Sequence, residues 1–292
     1  MNSTCLITLL GCAVAAVGCA QENEEKFEVS ADEADIVNGG IALQSDLVTR
    51  STVAIFDKTS GVLTCSGTLV GPKTVLSAGH CFDGINDHKF VVVFGIKAPT
   101  TAAGFAALPS ATIRDASRIE VNTGYQARPP LPRSRPTDAS GTRWREAGVD
   151  AAVVLLSSNA PDGYVPVTIP RPTDLPLKQG NTVFVAGFGT TGQNTKSDGV
   201  LRFGSMKLEA LSPRAPEEIL ALPTTAKTNT CYGDSGGSLY VMLDDGRKLP
   251  TSKRLVLVGI TSAARDRFVL GCNTGGLFAD ARYQIPWITA VR

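Results

Sequence analysis

Short apolar runs, rich in β-branched and aliphatic residues, recur between turn residues along most of the chain after residue 36. Nine runs show the pattern: TVAIF (52–56), TCSGTLV (64–70), KTVLSA (73–78), KFVVVFGI (89–96), DAAVVLL (150–156), TVFVAGF (182–188), GVLRFGSMKL (199–208), GGSLYVM (236–242) and LVLVGITSA (255–263). Runs of this length separated by turn signals are typical of strands in a sandwich or barrel. The pattern therefore predicts an all-β protein, and the closing residues predict a short terminal helix after Pro286.

The composition supports a globular protein with many turns. The chain has 292 residues, 43% of them hydrophobic, with 29 glycines and 17 prolines. This length suits one large domain or two small ones. Two proline-rich stretches interrupt the strand pattern, and we expect 126–148 to form an exposed insertion loop and 157–180 to link two halves.

The first twenty residues form an apolar run without any charged side chain. This run has the length of a signal peptide and is too short to be a convincing membrane span, so we expect export. Two cleavage sites remain open. Residues 16–19 resemble a bacterial lipobox in which Cys19 is lipidated, whereas 18–20 resemble an ordinary signal-peptidase site. Membrane attachment is expected only if Cys19 carries lipid.

Charge divides the remaining chain into an acidic head and a mildly basic body. Residues 21–35 hold seven acidic side chains and one basic one, and the body from residue 36 holds 27 basic against 20 acidic side chains. The basic residues are scattered along the body and form no stripe, so nothing indicates nucleic-acid binding.

Cysteine and histidine counts favour disulfides over a metal site. The body has four cysteines, Cys65, Cys81, Cys231 and Cys272. An even number in an exported chain predicts two disulfides. A metal site lacks ligands, because there are only two histidines and neither a CxxC nor an HExxH motif. No organic cofactor is indicated either.

A serine surrounded by glycines in TNTCYGDSGGSLY (228–240) is the candidate nucleophile, Ser235. The G-x-S-x-G pattern around it matches the nucleophile elbow of α/β-hydrolases. That fold requires the order serine, acid, histidine along the chain. Both histidines precede Ser235, so the elbow interpretation is excluded.

Two histidines and two aspartates compete to activate this serine. His80 follows an apolar strand and adjoins a cysteine, whereas His88 lies in a polar, loop-like stretch, so a rigidly held His80 is favoured. Asp57 and Asp150 both flank apolar strands. Asp57 would give the subtilisin order, but no glycine-rich helix start surrounds His80. Asp150 gives the order His, Asp, Ser that is found in chymotrypsin.

Together, TVLSAGHC, VDAAVVLL, CYGDSGGSL and the IVNGG at Ile36 resemble the chymotrypsin-like (trypsin-like) serine peptidases. AGFGTTG (186–192), GITSAA (259–264) and PWI (286–288) fit at the expected order. The similarity extends over most of 36–292, interrupted at the insertion. It implies two six-stranded Greek-key β-barrels, the first at about 36–158 and the second at about 179–292, with a linker at about 159–178.

The resemblance also implies the roles of individual residues. Ser235 is expected to be the nucleophile, His80 the general base and Asp150 the acid that orients it. The backbone N–H groups of Gly233 and Ser235 are expected to form the oxyanion hole. The implied disulfides are Cys65–Cys81 and Cys231–Cys272.

Activation by proteolysis is a further implication. In this family the acid that corresponds to Asp234 pairs with a newly formed α-amino group, here that of Ile36, so 21–35 is expected to be a propeptide. The residue before the cleaved bond is Asp35 and not Lys or Arg. An acid-preferring protease, or another maturation route, is therefore implied in place of trypsin-type autoactivation.

The substrate pocket is expected to lack a negative charge. By the resemblance, its base falls on Asn229 with Thr230 beside it, and its walls fall on Ala264 and Gly276. A neutral residue on the N-terminal side of the cleaved bond (P1) is expected, apolar or aromatic, although Asn229 is also compatible with a polar one. Residues 262–264 are expected to pair with the substrate backbone, and Ser262 to bond to Asp150.

The sequence thus predicts an exported serine endopeptidase that acts on polypeptides through an acyl-enzyme and is made as a zymogen. Two alternatives belong to other classes: a non-catalytic protease fold kept as a binding module, and a surface lipoprotein with a structural role. Both must explain why all three triad positions are filled.

Overall fold

The computed structural model describes residues 36–85, 87–126, 149–192, 195–212, 217–244, 253–265 and 272–292. Within these ranges the chain is built almost entirely from strands. The strands are β1 Gly40–Ile41, β2 Thr52–Asp57, β3 Val62–Gly71, β4 Thr74–Ser77, β5 Phe90–Val93, β6 Ile113–Val121, β7 Ala152–Leu156, β8 Thr182–Gly187, β9 Arg202–Leu211, β10 Glu218–Pro223, β11 Ser238–Asp244, β12 Lys253–Ala264 and β13 Gly276–Asp280. The α-helices are short: α1 Ala102–Ala106, α2 Thr123–Gln126 and α3 Ile285–Val291.

The first barrel closes six antiparallel strands in the order β2-β3-β4-β7-β6-β5. Every residue of β2, β4 and β5 is buried, which is why these strands appear in the sequence as continuous apolar runs. β4 pairs with β7 so that Ser77 lies opposite Ala152. The end of β4 and the start of β7 therefore lie side by side at one rim of the barrel.

The second barrel repeats the same strand order with β8-β9-β10-β13-β12-β11, and β8 closes it by pairing with both β9 and β11. The prediction of two six-stranded Greek-key barrels is confirmed. The short strand β1 pairs with β9 on the second barrel, with Gly40 opposite Phe203. The residues that follow Ile36 thus lie on the second barrel, whereas the sequence assigned 36–158 to the first.

Buried hydroxyl groups join the two barrels behind the rim. The Ser51 and Thr52 hydroxyls lie 2.8 and 3.0 Å from the Tyr240 hydroxyl, and Thr68 Oγ1 lies 2.6 Å from Ser238 Oγ. All five residues are fully buried or nearly so. Because each buried hydroxyl has a partner, the interface avoids the cost of desolvated, unpaired polar groups.

The terminal helix and the connecting segment complete the structure. The predicted short helix is α3, whose buried Ile288 belongs to the same apolar cluster as the core of the first barrel. Residues 157–181, all described, connect β7 to β8 without a helix or strand of their own. Most of the proline-rich stretch 126–148 lies outside the described residues.

Candidate active site

His80 lies immediately after β4, in the short 3-10 turn Gly79–Cys81. The next residue, Cys81, forms a disulfide with Cys65 on β3, so the turn is tied to a neighbouring strand. The second predicted disulfide, Cys231–Cys272, is also present. Each bond fixes a loop that lines the cleft described below.

Asp150 precedes β7 and is brought to His80 by the pairing of β4 with β7. Its Oδ1 accepts a hydrogen bond from the His80 backbone N–H at 2.8 Å, and its Oδ2 lies 2.7 Å from His80 Nδ1. The expected hydrogen bond from the Ser262 hydroxyl to Oδ2 is present at 2.6 Å. A carboxylate at Nδ1 favours the tautomer with its proton on Nδ1, which leaves Nε2 as an acceptor.

The environment of Asp150 keeps its carboxylate charged. Asp150 is almost completely buried, and burial alone would raise its pKa. The charge and hydrogen bonds of His80 and the hydrogen bond from Ser262 outweigh this effect and hold the pKa below its ordinary value. The site therefore contains a buried, negatively charged partner for the imidazole.

A cleft of about 330 Å³ brings the three candidate catalytic residues together. Its lining includes His80, Asp150 and Ser235, and it is completed by Tyr125, Thr230, Cys231, Tyr232, Gly233, Thr261, Ser262, Ala263, Ala264 and Cys272. The first barrel contributes His80 and Asp150, whereas the second contributes Ser235. The cleft thus lies where the rims of the two barrels meet.

The loop that carries Ser235 needs its glycines. Gly233 and Gly236 have φ angles of 89° and 79°, in the region that side chains disfavour. A Cβ on Gly236 would lie 2.1 Å from Ser77 Oγ and 2.4 Å from the Ser66 carbonyl oxygen. The glycine-rich sequence is therefore required both by the backbone conformation and by the close approach of the first barrel.

Asp234 points away from the cleft into the protein, where it is buried. Its two carboxylate oxygens accept hydrogen bonds from the backbone N–H groups of Gly189, at 2.9 Å, and Cys231, at 2.8 Å. A Cβ on Gly189 would lie 2.5 Å from the carboxyl carbon. The GFG segment 187–189 thus leaves room for this carboxylate.

Ile36, the candidate activation residue, is fully buried in the apolar cluster of the second barrel. Its neighbour Val37 forms an isolated bridge with Asn229. The predicted signal peptide 1–20, the lipobox at Cys19 and the propeptide 21–35 lie outside the described residues.

The five predicted pocket residues divide into two groups. Thr230, Ser262 and Ala264 line the cleft. Asn229 and Gly276 are buried and are not part of its lining. A Cβ on Gly276 would lie 2.9 Å from Thr230 Oγ1, so Gly276 adjoins a cleft residue. The Asn229 side-chain amide donates to the Cys272 carbonyl, whereas its Oδ1 is buried without a partner in the described part of the chain.

Three cleft residues, Tyr125, Tyr232 and Thr261, were not anticipated from the sequence. Tyr232 is 60% exposed and lies between a cysteine and a glycine of the serine loop, so its position next to the candidate nucleophile was available as a signal. Tyr125 directly precedes the predicted insertion 126–148, and the sequence offered no comparable signal for its place at the cleft.

The rival base and rival acid pair with each other away from the cleft. His88 Nδ1 lies 2.5 Å from Asp57 Oδ2, which also accepts from the Ser60 hydroxyl. Burial opposes ionisation of Asp57, but the hydrogen bonds from Ser60, His88 and the Thr59 and Ser60 amides prevail and lower its pKa. His88 and Asp57 are therefore not part of the cleft lining that contains His80 and Asp150.

One cluster in the described residues has metal-ligand chemistry: Cys65, His80 and Cys81 offer atoms within 4.8 Å of one another. Both sulfurs are used in the disulfide, so neither is a free thiolate for a metal. Among the helices in the described ranges, none is long and apolar enough to cross a membrane.

Comparison with known proteins places the chain in a family. Residues 44–288 match the family model described as Trypsin, and the chain belongs to this family of serine peptidases. It is similar to spermosin of Halocynthia roretzi, with 24% identity over 270 residues that make up 87% of this chain. The matched region spans 61% of the length of that relative.

Proposed function

We propose that this protein is a serine endopeptidase that cleaves polypeptides through an acyl-enzyme. The observation that carries the proposal is the buried Asp150 carboxylate, which engages both the backbone N–H and the Nδ1 of His80 in the same cleft as Ser235. This arrangement serves one chemical purpose well, because it prepares Nε2 to accept a proton from a neighbouring hydroxyl.

The chemical steps follow from these roles. Ser235 Oγ bonds to the substrate carbonyl carbon while its proton moves to His80 Nε2. The charge that develops on the carbonyl oxygen is stabilised by the N–H groups of Gly233 and Ser235. His80 then gives its proton to the departing amine as the C–N bond breaks. Water then attacks the carbonyl carbon of the acyl-enzyme while His80 takes its proton. The bond to Ser235 Oγ breaks, His80 returns the proton to Ser235, and the acid product is released.

The substrate backbone is proposed to extend β12 at the cleft. β12 pairs with β11 only as far as Ile260, and Thr261 bonds to the serine loop through Gly236 and Gly237. Beyond that point the cleft-facing edge of 262–264 has no strand partner in the described residues. An extended peptide fits such an edge by strand addition.

The P1 side chain is proposed to be neutral. Asp150 is the only carboxylate among the described residues of the cleft lining, and it is occupied by His80 and Ser262. Asn229, which the resemblance places at the base of the pocket, is buried outside this lining, so the proposed preference rests on the lining residues alone.

Maturation is proposed to proceed by export and by cleavage between Asp35 and Ile36. Two disulfides suit an oxidising compartment, and the buried Asp234 carboxylate is a suitable partner for a new ammonium group at Ile36. On this proposal the ion pair stabilises the serine loop, and 21–35 holds the enzyme inactive before cleavage.

The testing experiment is an intact-mass and N-terminal analysis of the secreted protein with and without a fluorophosphonate probe. We expect a chain that begins at Ile36 and gains one probe mass, and no gain in the Ser235→Ala variant. A chain that begins at Ile36 but refuses the probe would contradict the peptidase and favour a binding module. Labelling of a chain that retains 21–35 would preserve the peptidase and remove the proposed activation step.

A further inference from the structure

Ser66 holds the serine loop from the opposite barrel through hydrogen bonds that the catalytic steps above do not use. It lies on β3 beside the disulfide cysteine Cys65 and is fully buried. Its backbone N–H donates to the Ser235 carbonyl at 2.8 Å. Its hydroxyl donates to the Gly233 carbonyl at 3.0 Å and accepts from the Phe188 backbone N–H at 2.9 Å.

These partners include both residues of the proposed oxyanion hole and a residue of the segment that contacts Asp234. Gly233 and Ser235 are the residues whose N–H groups would bind the developing charge. Phe188 precedes Gly189, whose N–H binds the Asp234 carboxylate. Ser66 of the first barrel therefore accepts a hydrogen bond from the Phe188 N–H, and Asp234 of the serine loop accepts one from the adjacent Gly189 N–H.

The carbonyl of Gly233 is the important contact. Glycine at a φ of 89° lacks the steric limits that would otherwise fix its neighbouring peptide planes. A hydrogen bond to its carbonyl oxygen restricts the plane of the peptide that follows. The donor is the hydroxyl of Ser66, which lies on a strand tied by the Cys65–Cys81 disulfide. The first barrel therefore restricts the orientation of this peptide plane in the serine loop.

We propose that Ser66 is a positioning residue for the oxyanion hole. Its hydroxyl acts through Gly233 and Phe188 and does not contact the substrate, so its contribution appears when the substrate carbonyl acquires charge. The inference rests on the proposed peptidase function and adds to it a residue that sets transition-state stabilisation. Binding of the uncharged ground state depends on it little.

The test uses the mature enzyme and the variants Ser66→Ala and Ser66→Gly. The matched control is Ser51→Ala, which removes an equally buried hydroxyl that also joins the barrels but contacts Tyr240 and not the serine loop. Two inhibitors distinguish an effect on oxyanion stabilisation from an effect on binding of the uncharged ground state. A peptide aldehyde forms an adduct with an oxyanion, whereas the same peptide with a reduced CH₂–NH bond has no carbonyl at the reacting position.

For Ser66→Ala we expect kcat/KM to fall about tenfold, with the loss in kcat, because two hydrogen bonds that orient the loop are removed. Aldehyde affinity should fall in parallel, and affinity for the reduced-bond peptide should stay within about twofold. Ser51→Ala should lower thermal stability without this difference between the affinities for the two inhibitors. Ser66→Gly should repeat the result, and it provides the test if Ser66→Ala does not fold.

Two outcomes would overturn the inference. Unchanged kcat in a folded Ser66 variant would show that the loop keeps its geometry without the hydroxyl. Equal weakening of both inhibitors, as in a general loss of structure, would make Ser66 merely structural. Failure of the wild-type enzyme to react with the fluorophosphonate would instead overturn the peptidase proposal, so the two failures are distinguishable.

Discussion

A single methyl group at position 189 should displace the carboxylate that anchors the serine loop. In Gly189→Ala the new Cβ would lie 2.5 Å from the Asp234 carboxyl carbon and 2.6 Å from each of its oxygens. An ordinary van der Waals contact between a Cβ and another heavy atom is 3.4 Å or longer, so the carboxylate must move by roughly 1 Å. The φ angle of Gly189 is outside the left-handed region, so the change acts through this contact and not through backbone strain.

The energetic cost follows from what the carboxylate loses. A displacement of this size breaks the 2.9 Å hydrogen bond from the Gly189 N–H, and a hydrogen bond to a charged group is worth about 1.5–3 kcal/mol. Overpacking costs about 1–3 kcal/mol more. We expect a loss of about 3–5 kcal/mol in the free energy of unfolding. In a protein of this size that lowers Tm by roughly 10 °C.

Activity should fall further than stability explains. If Asp234 holds the loop, its displacement disturbs the N–H groups of Gly233 and Ser235, and loss of one oxyanion donor costs about 10²–10³-fold in kcat. The assay is kcat/KM on a peptide substrate, measured well below the lowered Tm. Gly192→Ala is the matched control, because a Cβ there has its nearest neighbour at 3.8 Å. Full kcat in a folded Gly189→Ala variant would refute the role given to Asp234.

Two further predictions concern acid stability and specificity. The folded-state pKa values of Asp57 and Asp150 lie below those of the unfolded chain, so their contribution to stability is present above about pH 4 and lost as the pH falls through the folded values. Urea midpoints between pH 6 and 3 should decline, and less so in Asp57→Asn; an identical slope in that variant would contradict the assignment. The resemblance places residue 229 at the base of the P1 pocket, beside the cleft residue Thr230, so a negative charge in Asn229→Asp should favour cleavage after Lys or Arg in a P1 substrate panel; an unchanged preference would show that position 229 does not determine specificity.

Much of the fold was predictable because its strands are buried on continuous faces. Each of the nine apolar runs overlaps a strand, and β2, β4 and β5 are buried along their whole length. Four strands, β1, β6, β10 and β13, were not among those runs. β6 and β10 differ from the apolar pattern for opposite reasons. β6 is largely polar and partly exposed, and β10 begins with a glutamate that is buried in the folded chain. Burial of a charged residue depends on tertiary context that a local pattern does not contain.

The candidate site was predictable in part because chain order carried information that burial did not. Asp57 and Asp150 each flank an apolar strand and each is buried with a histidine partner, so local sequence alone cannot choose between them. The order of histidine, acid and serine favoured Asp150. The contact of Ser66 with Gly233 joins residues 167 positions apart, and no local pattern announces it.

The division of the candidate site between two barrels makes the barrel interface part of the proposed catalytic geometry. His80 and Asp150 are fixed within the first barrel by the pairing of β4 with β7, whereas Ser235 belongs to the second. Their relative placement therefore depends on contacts that cross the interface. Among these contacts, the hydroxyl of Ser66 reaches the serine loop itself, whereas the hydroxyl pairs of Tyr240 lie behind the cleft and stabilise the interface away from that loop. Hydrogen bonds restrict orientation as well as separation, which apolar packing alone does less strictly. Polar contacts of this kind are thus physically suited to hold the proposed base and the proposed nucleophile, which come from separate barrels, in a fixed relative orientation.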